Sequence, residues 1–203
     1  SAFLLVLKDC ESLRKTVGQL YRELNPDFEG LDDLIAEAGV EGGRPPRRAL
    51  RTMDVCLQLH EGLYLSNRHE DEAVRVESID RDSWEVEVTD GKKTSVYGVV
   101  ELADNFAPAH DDDFRTLACF DRPRLDEMIK NDPGAVVESI LRGNGREMDS
   151  DQIKRVLSPA FVASGSWTKW WTRARQGLRH SAHVKIEGRS PYFLTYNPEG
   201  SSL

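Results

Sequence analysis

The chain has 203 residues, 39% of them hydrophobic and 31% charged, with a formal net charge of −8. That length is enough for one domain or two with a real hydrophobic core, and the composition excludes global disorder. No apolar run approaches the ~18–20 residues needed to cross a bilayer, and Phe3–Leu7 lacks the basic flank and cleavage site of a leader.

Cys10, Cys56 and Cys119 are far apart and show no C-x-x-C spacing. They read as reduced thiols of a cytoplasmic protein, not as a disulfide framework or zinc site. The chain opens at Ser1 and stops at Leu203 without an obvious finishing element, so it reads as a piece of a longer polypeptide.

The expected fold class is α+β: N-terminal helices over 1–60, a small SH3-like or Tudor-like antiparallel β-barrel over 61–104, and a helical domain with winged-helix character over 105–203. Leu13, Val17, Leu20, Tyr21 and Leu24 recur at helical spacing until Asn25-Pro26 interrupts them. A second helix is expected over Leu31–Ala38 with Gly39 as its stop, and a third from Pro45-Pro46 to about His60, burying Ala49, Met53, Cys56 and Leu57.

The period then changes. Leu63–Leu65, Val74–Val76, Trp84–Val88 and Ser95–Val99 alternate as half-buried strands do, with Asp90-Gly91 as a type I′ turn signal. A polar connection, 105–113, leads to expected helices at Arg124–Asn131 and Ala135–Arg142, closed by Gly143-Asn144-Gly145. A third helix of this part, capped by Ser150, carries Ile153, Val156 and Leu157 inward until Pro159.

The most informative stretch is Ser164–Leu178. With Ser166 as the expected N-cap, Trp167, Trp170, Trp171, Ala174 and Leu178 fall on one helical face. Lys169, Arg173, Arg175 and Gln176 occupy the remainder. Val184–Ile186 and Tyr192–Tyr196 alternate around Glu187–Pro191 as a hairpin, so helix, turn, basic helix and hairpin together suggest a winged helix.

Charge is distributed unevenly. Glu61–Asp132 holds nineteen acids against nine bases, whereas the chain from Gln152 onward holds two acids against eight bases. The three tryptophans read as core, because each buries ~150–250 Å². The cations Lys169, Arg173, Arg175 and Arg179, with Lys185 and Arg189 on the hairpin, are the candidate partner-binding residues, since guanidinium forks match phosphates and carboxylates and fill no core.

His180 and His183 lack an acidic or thiol companion nearby, and His110–Asp113 lacks the spacing of a calcium loop, so no metal is expected and the latter reads as a solvated acidic linker. No G-x-S-x-G, H-E-x-x-H, P-loop or G-x-G-x-x-G pattern occurs. No catalytic residue and no cofactor is expected, and a hydrolase with an unrecognised site ranks last among the functional readings.

Arg47–Leu50, Leu63–Leu65, Val74–Ile79, Phe120–Leu125 and above all Trp167–Arg175 together resemble the N-terminal accessory region of long GreA-type bacterial transcription elongation factors. In those proteins an x-W-x-K-W-W-x-x-A-R helix follows a small β-domain and precedes the Gre portion. The resemblance implies association with RNA polymerase during elongation, with nucleic acid nearby. It carries over neither the acidic coiled-coil tip that promotes RNA cleavage nor the globular polymerase-binding domain. Docking to the transcription machinery is therefore the leading expectation, and direct DNA binding by the winged-helix portion is the second.

Overall fold

A computed structural model describes residues 11–200. Phe3–Leu7, Cys10 and the last three residues lie outside the described residues. The chain separates into two compact units, divided between Pro108 and Ala109. No helix among the described residues is long and apolar enough to cross a membrane.

The first unit begins with helices α1 (Glu11–Leu24), α2 (Leu31–Ala38) and α3 (Pro46–Cys56). Gly39 ends α2 in the left-handed conformation its missing Cβ permits (φ 71°), and Pro46 opens α3 where its lost N–H costs nothing. Arg22 ties α1 to the following segments through Asp32 and Glu41, both at 2.6 Å.

Five strands follow: β1 (Tyr64–Asn67), β2 (Ala73–Asp80), β3 (Glu85–Thr89), β4 (Thr94–Gly98) and, after helix α4 (Val99–Asn105), β5 (Phe106–Ala109). They form a curled antiparallel half-barrel in the order β4-β3-β2-β1-β5. A bulge between Val76 and Ser78 helps bend β2. The helices and the strands, separate regions in the sequence reading, share one core that includes Leu34, Ile35, Met53, Leu65, Val86 and Leu102.

The β3–β4 turn differs from expectation. Of Asp90–Lys93 only Gly91 has positive φ (86°), whereas a type I′ turn at Asp90-Gly91 needs two such residues. The Asp90 carboxylate instead accepts the Lys92 and Lys93 N–H groups, both at 2.8 Å. Val99, read as the end of a strand, starts α4, and the expected polar connection contributes β5.

The second unit contains α5 (Phe114–Phe120), α6 (Arg122–Asn131), α7 (Pro133–Gly143), β6 (Glu147–Asp149), α8 (Ser150–Leu157), a 3₁₀ turn (Ser164–Ser166), α9 (Trp167–Leu178), β7 (Val184–Glu187) and β8 (Phe193–Tyr196). Its sheet has the order β6-β8-β7, antiparallel throughout. Helix, strand, two helices and a two-stranded wing in this order make a winged helix.

Four of its helices start on aspartates, and among these Asp113, Asp121 and Asp132 accept N–H bonds from Arg115, Arg124 and Ala135. The cap of α8 is Asp149 in a capping box with Gln152, not Ser150, which is the first helical residue. His110–Asp113 is not the expected solvated linker. Asp113 is buried, Asp112 meets Arg142 at 2.5 Å, and the Arg115 guanidinium donates to the Gly143 carbonyl and to Asn144. Desolvation pushes the Asp113 carboxyl above its ordinary range, against the pull of the Arg115 N–H.

Helices α7 and α9 come together at two glycines. A Cβ at Gly134 would stand 3.3 Å from the Gly177 and Leu178 backbone, whereas one at Gly177 would meet Gly134 Cα at an ordinary 3.5 Å. Gly134→Val should therefore destabilise the unit by about 1–3 kcal/mol, while Gly177→Ala stays close to neutral, as urea unfolding of the two variants will measure.

In the first unit burial pushes Cys56 up to about 12, and burial with the Asp54 carboxylate does the same to Tyr21. Both folded values lie above the unfolded ones, so their stabilisation is complete below pH 9 and is lost as the pH rises toward 12. The urea midpoint should fall from pH 9 upward, by at most ~1.4 kcal/mol per pH unit per group and less for half-buried Tyr21. In Cys56→Ala the decline should begin only near pH 10, where an unfolded tyrosine titrates.

Candidate nucleic-acid interface

Helix α9 is positioned by its indoles. Trp167, Trp170, Trp171, Ala174 and Leu178 are all buried. Trp167 stacks on Trp170 and on Trp171, with centroids 5.5 and 5.7 Å apart. The one polar atom of Trp170 is satisfied, since Nε1 donates to the Ile129 carbonyl at 2.9 Å. Burial on this scale contributes several kcal/mol per indole, which fixes the rotation of the helix about its axis.

The opposite side carries Thr168, Lys169, Thr172, Arg173 and Gln176, all exposed, and no carboxylate occurs in Trp167–Leu178. Arg173 donates to the Lys130 carbonyl at 2.7 Å with one Nη, leaving its other N–H groups for a ligand. Lys169 and Arg179 are exposed, one on this face and the other just beyond the helix end. Ser166, the expected cap, makes no side-chain capping bond; it belongs to the 3₁₀ turn that feeds the helix.

Arg175 is placed differently from the other cations. It lies on the flank of α9 with its guanidinium 4.4 Å from the centroid of the Tyr192 ring, and its Nε is buried without a hydrogen-bond partner. Tyr192 in turn lies 6.4 Å from Trp171. The sequence could not show this, because the contact joins residues of two different elements and helical periodicity assigns Arg175 to the outer side.

On the wing, Lys185 pairs with Glu187 at 2.8 Å while Arg189, next to the left-handed Gly188, is exposed. Exposed Lys154 and Arg155 add two cations on α8, the helix before α9. Spacing arguments did not single these two out. His183 Nδ1 lies 3.1 Å from the Asn197 carbonyl, and among the described residues no group of three or more His, Cys, Asp or Glu is placed to hold a metal.

Residues 116–200 match the family model of the GRAD helix-turn-helix domain. The match begins inside α5 and runs past β8, so it takes in the whole winged arrangement. Comparison with curated proteins and with solved structures gives no match. The matched stretch includes α9, whose outer surface carries Lys169 and Arg173 and no acid.

The separation of roles along α9 is testable by stability. Trp171→Ala should cost about 3–5 kcal/mol in urea unfolding, because a large buried side chain leaves a cavity. Lys169→Ala should change stability by no more than about 0.5 kcal/mol, as exposed substitutions do.

Proposed function

We propose that this chain is a non-catalytic accessory module of the transcription machinery whose winged-helix unit holds duplex DNA. The observation that carries this reading is the acid-free outer face of α9, with Lys169 and Arg173 exposed on a helix inside the stretch that matches the helix-turn-helix model. Such a helix is of a size to enter a major groove, and cations on it and on the wing neutralise phosphates. Thr172 and Gln176 share that face and supply hydrogen-bonding groups for base edges. Arg189 on the wing and Lys154 and Arg155 on α8 extend the cationic surface toward flanking phosphates.

The family match supports a role with DNA or transcription, and the likeness of Trp167–Arg175 to GreA-type factors supports placing that role at elongation. RNA polymerase docking, the leading reading from sequence, stands second, because the exposed groups on α9 are matched in type to a polyanion. The Asp54 and Asp113 carboxyls are both pushed upward by desolvation, but neither lines the hollow of about 410 Å³ beside Arg22, Phe28 and Asp32. The hydrolase reading therefore gains no support there.

Duplex affinity measured by fluorescence anisotropy across a salt series tests the proposal. Binding should weaken linearly in log salt, and the double variant Lys169→Ala/Arg173→Ala should reduce the slope by about 1.8, at ~0.9 for each phosphate no longer neutralised. Retention on purified polymerase without DNA, together with a slope unchanged in the double variant, would overturn DNA binding in favour of docking.

A further inference from the structure

Among the described residues the two sheets present four outer strands, and three of them are guarded against pairing with a further strand. β5 contains Pro108, β6 is three residues long with Glu147 and Asp149, and β7 carries Lys185 and Glu187. Proline, brevity and charge are the usual protections of a sheet edge. β4, Thr94-Ser95-Val96-Tyr97-Gly98, has five residues with neither charge nor proline, and Val96 at its centre is 59% exposed.

The register shows which backbone groups of β4 lie on the free side. The Asp90 N–H reaches the Lys93 carbonyl at 3.2 Å, and the Val99 N–H reaches the Trp84 carbonyl at 3.1 Å. Between these two bonds, Val88 faces Ser95 and Val86 faces Tyr97. Hydrogen-bonded pairs alternate along an antiparallel ladder, so Ser95 and Tyr97 bond toward β3, while Thr94 and Val96 turn their N–H and C=O groups outward. These groups are aligned for another strand.

The same side of the half-barrel is acidic. Glu87 lies opposite Val96 on β3 and accepts from the Ser78 hydroxyl at 3.1 Å, Glu85 lies opposite Gly98, and Asp80 faces Glu85 from β2. Arg75 in this face is already paired with Glu77 at 2.7 Å. Lys92 and Lys93 belong to the turn, beyond the end of β4.

We infer that β4 is a docking edge that takes up an extended, lysine- or arginine-bearing segment of a protein partner as a sixth strand of the half-barrel. Thr94 and Val96 supply the main-chain bonds, and the aliphatic stem of a basic residue lies over Val96. Its charged head spans the ~9–10 Å of two strand spacings to Glu87. A second copy of this chain is a poorer occupant, because β4 has no basic residue of its own to set against Glu85 and Glu87. The inference concerns the first unit and does not depend on DNA binding by the second.

Amide hydrogen exchange and NMR titration of the whole chain, with a short peptide alternating Lys and Thr, provide the test. The Val96 amide should exchange about tenfold or more slowly on saturation, and the Glu-for-Lys version of the peptide should bind about tenfold or more weakly. Val96→Pro removes an outward N–H without touching the β3 ladder and should abolish binding. The double variant Glu85→Lys/Glu87→Lys, which leaves the backbone intact, should weaken it by a similar factor. Unchanged exchange at Val96, equal binding of the acidic peptide, or self-association through β4 in sedimentation would each overturn the proposal.

Discussion

The second unit depends on the burial of three indoles on one side of a three-turn helix. Trp167, Trp170 and Trp171 stack on each other, and the Trp170 N–H is spent on the Ile129 carbonyl. A rotation of α9 by one residue would withdraw indole surface from the core and push Thr168 or Thr172 toward it, at a cost of several kcal/mol. Lys169 and Arg173 are thus held outward by aromatic residues that touch no ligand. Close approach at Gly134 and Gly177 sets the depth of the helix against α7, so small residues and large ones jointly fix the same surface.

Much of this was legible from the sequence because α9 obeys one period. Helical spacing of large apolar residues announces both the helix and its buried side, and the strand-turn-strand alternation after Leu178 announces the wing. The half-barrel was legible for the same reason, with β3 alternating between buried valines and more exposed residues, although the bulge in β2 breaks the alternation there. The missed elements carry weaker signals. α4 begins with Val99-Val100, which are good strand formers, and becomes helical because the core receives Leu102 and Ala103 one turn later. α5 hides behind its acidic approach, since only a folded structure reveals that Asp111, Asp112 and Asp113 meet Arg124, Arg142 and the start of a helix. The caps were misjudged by one residue at α8, where both Asp149 and Ser150 are competent and the capping box with Gln152 decides.

Among the cations, the distinction that matters for function is visible only in three dimensions. Sequence places Lys169, Arg173, Arg175 and Arg179 together as a basic group, yet Arg175 lies on Tyr192 with a buried Nε while Lys169 remains exposed. A guanidinium on a ring is planar and weakly hydrated, so it can cover apolar surface where a lysine would be costly. Arg175 accordingly links α9 to Tyr192, the residue that leads into β8 of the wing.

The two units present surfaces of opposite charge. The outer face of the half-barrel displays Glu85, Glu87 and Asp80, which would repel a phosphate backbone, and the same carboxylates favour a basic polypeptide beside the unguarded edge of β4. The outer face of α9 has the reverse preference, because no acid interrupts it. If both proposals hold, each surface would repel the other's ligand, and each owes its orientation to apolar residues buried in its own unit.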